Sequence, residues 1–170
     1  MSSLNILFRK ERFRLTLLRC TRPDGTQTWT RLYPNFEIHD FAHYVVESRL
    51  GFQEAFYGCL AEGYHISDFE LPKDQRPKAL MPPNIPDEAL QTEHLVNLLQ
   101  TYFSAFEASL LLDDFRQILA EREIPFPEQL SMKVLEEIQE DLERLMEEWQ
   151  ALDFGESLEL EFQLKDKALI

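Results

Sequence analysis

Leu158-Glu159-Leu160-Glu161-Phe162-Gln163-Leu164 changes between apolar and polar at every step. Leu158, Leu160, Phe162 and Leu164 fall on one face, and Glu159, Glu161 and Gln163 on the other. This is the period-two pattern of a strand with one buried face. The same alternation occurs near the other end of the chain. In Arg12-Phe13-Arg14-Leu15-Thr16-Leu17, Phe13, Leu15 and Leu17 point one way and the polar residues the other. Pro23-Asp24-Gly25-Thr26 supplies a turn, because Asp-Gly tolerates positive φ. Residues Gln27 to Tyr33, rich in Thr, Trp and Tyr, make the returning strand. Glu159 and Glu161 complement Arg12 and Arg14, and opposite charges on neighbouring strands are worth ~0.2–1 kcal/mol per pair. The terminal strand is therefore expected to return to the N-terminal hairpin. The expected fold is α+β: a small antiparallel sheet of about three strands packed with about five helices.

Helical signals fill the space between. Residues 37–50 are apolar at Phe41, Tyr44, Val45 and Leu50, and Gly51 stops the helix; a shorter one, about 52–62, ends at Gly63. Further helices are expected near 88–103, with Asp87 as N-cap, and near 105–121, ended by Ile124-Pro125-Phe126-Pro127. The clearest spans about 128–152. There Leu135, Ile138, Leu142, Leu145, Trp149 and Leu152 step by three and four. That stripe permits a homodimer seam, but it reads better as one helix of an intramolecular bundle.

The chain has 170 residues and a formal net charge of −14. Residues 1–86 carry 11 basic and 10 acidic side chains, and residues 87–170 carry 6 and 21. The change follows a connector, residues 71–86, that holds five of the nine prolines. Proline fixes φ and lacks the amide donor, so this stretch is neither helix nor central strand. The expected organisation is a single domain, 1–170. It comprises a hairpin and histidine-bearing helices (1–70), the connector (71–86), an acidic helical part (87–156) and the C-terminal strand (157–170). The acidity makes nucleic acid an unlikely partner, since such binders need a basic footprint. The hairpin has its own basic excess, expected to be neutralised by the acidic half. No apolar run reaches the ~18 residues of a membrane span. No signal-peptide core opens the chain, and Cys20 and Cys59 do not make a disulfide framework. A reduced, cytoplasmic protein with packed thiols is expected.

One segment carries chemistry: Ile38-His39-Asp40-Phe41-Ala42-His43-Tyr44-Val45-Val46-Glu47. On a helix His39, His43 and Glu47 follow at i, i+4 and i+8, so their side chains share one stripe. Two imidazoles four apart can chelate one divalent metal such as zinc, as in the H-E-x-x-H pattern; here the order is H-D-x-x-H. Glu47 is the expected third ligand, and Asp40 the expected base or imidazole orienter. Set against this is a structural hub. Asp40 would then favour the helix N-terminus, His43 would pack against a carbonyl, and Glu47 would pair with Arg49 or a strand arginine. His65 is a remote ligand or a loop residue, and His94 is expected to be exposed. Gly58 inside a helix costs ~1 kcal/mol unless close packing compensates. A close approach to the His43 helix is the expected reason.

The run from His39 to Glu47, then Leu50-Gly51-Phe52, then Phe56-Tyr57-Gly58-Cys59-Leu60-Ala61-Glu62-Gly63, resembles a family of small uncharacterised bacterial proteins. Their shared segment reads H-D-x-x-H-x-x-V-E followed by a Gly/aromatic helix. The likeness covers about residues 37–64. It treats the segment as a unit and supplies no reaction.

Two function classes follow. One is a non-enzymatic interaction or scaffold protein that docks a protein partner on its acidic helical half, with His39-Asp40-His43 as a structural hub. The other is a metal-dependent, hydrolase-like enzyme. They separate on whether the histidines converge beside an open cleft.

Overall fold

The computed structural model describes residues 2–166. Met1 and residues 167–170, the two ends of the expected domain, lie outside the described residues. Four strands form one antiparallel sheet: β1 (Ser3–Arg9), β2 (Thr16–Thr21), β3 (Gln27–Leu32) and β4 (Ser157–Gln163), in the order β3-β2-β1-β4. Six helices complete the α+β fold: α1 (Glu37–Leu50), α2 (Phe56–Glu62), α3 (Ile66–Glu70), α4 (Asp87–Tyr102), α5 (Ala108–Glu121) and α6 (Met132–Ala151).

The C-terminal strand does return to the N-terminal strands, but its neighbour differs from the one expected. It pairs with β1, so Glu159 faces Leu7 and Glu161 faces Asn5. Arg12 and Arg14 belong to the bend between β1 and β2. Phe13, expected on a buried face, is 91% exposed. The alternation from Arg12 to Leu17 has no partner strand for its first half, and alternation alone buries nothing. The turn at 22–26 stands as expected. The Arg22 amide donates to the Thr26 carbonyl, and Gly25 takes a φ of +85°.

Leu4, Ile6 and Phe8 of β1, Leu18 and Cys20 of β2 and Phe162 of β4 point into the core. α1 lies against them. Phe41 meets Phe8 edge-on at 4.6 Å between ring centroids, and Trp149 of α6 closes the group at 6.0 Å from Phe41. The α6 stripe is spent on this core: Leu135, Ile138, Leu142, Leu145 and Trp149 are all buried. It is not free to serve as a dimer seam. α6 begins at Ser131, whose hydroxyl accepts from the Val134 amide, an ordinary N-cap. Its acidic flank ties to α1 through Arg49, which donates to Asp141 at 2.6 Å and Glu137 at 3.3 Å.

Part of the basic hairpin is engaged by the fold, but the expected neutralisation by the acidic half is not seen: among the described residues none of its cations forms an ion pair with an acidic side chain of that half. Lys10 Nζ donates to the carbonyls of Trp149 and Leu152, where the negative end of the α6 dipole lies. Arg22 donates to the carbonyls of Leu60 in the last turn of α2 and of Tyr64 just past it, and Arg31 pairs with Glu11. α4 starts one residue earlier than expected: Asp87 is its first residue and Pro86 holds the cap position, with no capping side chain. The connector follows the surface through two short 3₁₀ turns, 73–75 and 78–80. Among the described residues no helix is long and apolar enough to cross a membrane.

Candidate metal centre

α1 presents the motif, α2 braces it from below and α4 crosses beside it. The first turn of α1 is fixed by the Tyr57 hydroxyl, which donates to the Asp40 carbonyl at 3.0 Å. α1 ends at Gly51, at φ +67°, so the chain can reverse into α2. The reversal brings the N-terminal amides of α2 onto Glu47. Tyr57 N donates to Glu47 Oε2 at 2.9 Å, and Gly58 N reaches the same oxygen at 3.4 Å. A helix N-terminus favours an anion there.

Glu47 is fully buried, and its other oxygen, Oε1, lies 3.2 Å from His43 Nδ1. His43 is also buried, and its second nitrogen, Nε2, lies 3.2 Å from Glu93 Oε1 on α4. His39, one turn back on α1, has its ring centroid 4.7 Å from that of His43. One ligand atom from each of His39, His43 and Glu93 lies within 4.8 Å of the others.

The third member of this group is therefore Glu93, where the sequence pointed to Glu47. The i, i+8 carboxylate does share the stripe, but α2 captures it with two amides, and it faces the far nitrogen of His43. That placement is the one an outer carboxylate occupies behind a ligating imidazole, fixing its tautomer. It also displaces the expectation that Glu47 pairs with an arginine: Arg49 goes to α6. Asp40 is buried, with Oδ1 3.6 Å from His39 Nδ1, beside the ring it was expected to orient. His65 stands apart, at the start of α3, where its amide donates to Asp68. His94 is half-buried, not exposed, and lines the cleft described below.

Electrostatics favour charge at the pair. Burial alone would lower the His43 pKa; hydrogen bonds to Glu47 and Glu93 overcome it and hold the imidazole at about 10. Burial raises Glu47 against the pull of His43 and the two amides. Burial would also raise Glu93, but His43 outweighs it and the carboxyl ends below its ordinary value. The group thus favours a proton on His43 between Glu47 and Glu93, and a metal at Nε2 would have to displace that proton.

His39, His43 and Glu93 lie at a cleft of about 540 Å³, closed on one side by Phe56 of α2 and on the other by the connector and the first turns of α4. This is the size range of small-molecule sites. Cys59 lines it as well, with its thiol pushed up to about 12 by burial and then by Glu47, Glu62 and Glu54. It is a protonated thiol, not a ready ligand.

The glycine in α2 is explained differently from the expectation. A Cβ at Gly58 would lie 1.9 Å from the Gln53 carbonyl oxygen, so the close approach is to the backbone of 53, not to α1.

Comparison with protein-family models, curated proteins and solved structures gave no match.

Proposed function

We propose that this protein binds a divalent transition metal, zinc first, at His39, His43 and Glu93, and uses it as a metal-dependent hydrolase. One observation carries the reading. Two imidazoles from one helix and a carboxylate from another converge at the wall of a cleft, with a buried carboxylate behind one imidazole. Three protein ligands leave a position open for water, as catalytic zinc sites require. The metal would lower the pKa of that water, and Asp40, whose Oδ1 lies 3.6 Å from His39 Nδ1, would orient that imidazole or take a proton. Donors around tetrahedral zinc at ~2.0–2.1 Å sit about 3.3 Å apart. His43 and Glu93 already stand 3.2 Å apart, so loading would draw in His39, whose side chain is 36% exposed. Both cysteines are free, which supports a reducing, cytoplasmic setting.

A second reading is favoured by a separate observation. His43 has a carboxylate at each ring nitrogen, so the segment can serve purely as a hydrogen-bond hub. The protein would then be a scaffold that docks a partner on the acidic helical half. Elemental analysis of the purified protein beside a His39→Ala/His43→Ala double variant separates the two. The metal reading expects near-stoichiometric metal, lost in a variant that stays folded by circular dichroism. A wild type without metal, even after incubation with excess zinc, contradicts it and leaves the hub.

A further inference from the structure

The cleft beside His39 and His43 differs in charge from the rest of the chain. Acidic side chains outnumber Lys and Arg 31 to 17 overall. Along the cleft, Lys73, Arg76 and Arg122 match Asp40, Glu54 and Glu93 in number. A divalent cation at the metal group would make this wall net positive. The cations come from separate parts of the chain: Lys73 and Arg76 from the connector, and Arg122 from just past α5. Arg76 is committed in part, donating to the carbonyls of Phe69 and Leu71 at the end of α3. Among the described residues the side chains of Lys73 and Arg122 have no hydrogen-bond or ion-pair partner, although the acidic half surrounds Arg122 in sequence. His94 also lines the cleft, next to Glu93 in sequence. The remaining wall is apolar, with Phe56 and Leu90 among its residues.

We infer that this cleft takes an amphipathic anion, a small ester carrying one acidic head group on an apolar body. The head group would lie against Arg122 and Lys73 and the body against Phe56 and Leu90. The inference rests on the metal reading above and names the substrate class of that same site. A guanidinium and an ammonium recognise phosphate and carboxylate alike, and the guanidinium can do so with paired hydrogen bonds.

The test uses the zinc-loaded full chain and calorimetric titration with phenyl phosphate, benzoate and benzyl alcohol. Either anion is expected to bind at least about tenfold more tightly than the alcohol. The tighter of the two assigns the head group. Arg122→Gln, at an exposed position, is expected to weaken anion binding about tenfold while zinc content and alcohol binding stay unchanged. Zinc bound with no preference for either anion, or an unchanged anion affinity in both Arg122→Gln and Lys73→Gln, overturns the inference alone. Failure of the wild type to bind zinc overturns the underlying reading instead.

Discussion

Glu47 and His43 form a buried pair, Oε1 to Nδ1 at 3.2 Å, with no part of the glutamate reaching solvent. The pair turns the second imidazole nitrogen outward to Glu93 and the cleft. Its integrity sets both the stability of the α1–α2 corner and the direction in which His43 can ligate.

Glu47→Ala would leave an imidazole and two α2 amides without their acceptor. Stripping one partner from a buried charged pair costs about 3–5 kcal/mol, so this variant should melt far below the wild type or fail to fold. Glu47→Gln keeps the shape and loses the charge. It should fold, with zinc affinity down by about 10–100-fold, as for other carboxylates behind ligating histidines. Unchanged zinc affinity in Glu47→Gln would remove this residue from the site.

Gly58→Ala places a methyl group 1.9 Å from the Gln53 carbonyl oxygen, and backbone cannot step aside as a flexible side chain can. Overpacking of this kind costs ~1–3 kcal/mol or more. Urea unfolding should show the loss as a lower midpoint. A midpoint equal to wild type would mean that residues 53–58 rearrange freely.

Lys10 caps α6 from another element, donating to the Trp149 carbonyl at 2.6 Å and the Leu152 carbonyl at 2.9 Å, with its ammonium 4.9 Å from the Trp149 ring centre. Lys10→Met keeps most of the stem and removes the charge. A loss of about 1–2 kcal/mol is expected from the helix end and the hydrogen bonds together. Thermal unfolding reads it, and no shift in melting temperature would show the contact to be idle.

The thiols give a pH dependence. Burial pushes Cys20 from 9.0 to about 12, with Asp40 adding and Arg22 opposing; Cys59 rises equally. The native state then keeps a proton that the unfolded chain has already released. This contribution is complete below pH 9, and it falls away as pH rises through 9 toward 12. At pH 8 a disulfide reagent such as Ellman's should label the native protein slowly and the guanidinium-unfolded chain quickly at both cysteines. Rapid native labelling of Cys59 would contradict its placement.

Much of the architecture was readable because local signals agreed with the fold. α1 runs from Glu37 to Leu50 as its apolar spacing and Gly51 indicate, and α6 follows its stripe. β4 follows its alternation. β1 was not readable. Ser3–Arg9 contains Ile6-Leu7-Phe8 in succession, all buried, which breaks the alternation; Leu7 is covered on the outer face although Arg19 and Glu159 are its register partners. The five-residue α3 is too short to show a period. At the site, sequence located His39, Asp40 and His43, because their spacing is a property of one helix. Glu93 lies 50 positions beyond His43, and nothing local marks it among the carboxylates of the acidic half. Its place beside His43 comes only through the packing of α4 on α1.

X-ray absorption at the zinc edge of the loaded protein, compared between wild type and Glu93→Gln, tests the central claim most directly. The account predicts nitrogen and oxygen donors at ~2.0–2.1 Å, two of them imidazole, and zinc binding sharply weakened in Glu93→Gln. A protein that takes up no zinc, a sulfur donor at ~2.3 Å from Cys59, or a Glu93→Gln spectrum and affinity identical to wild type would contradict it.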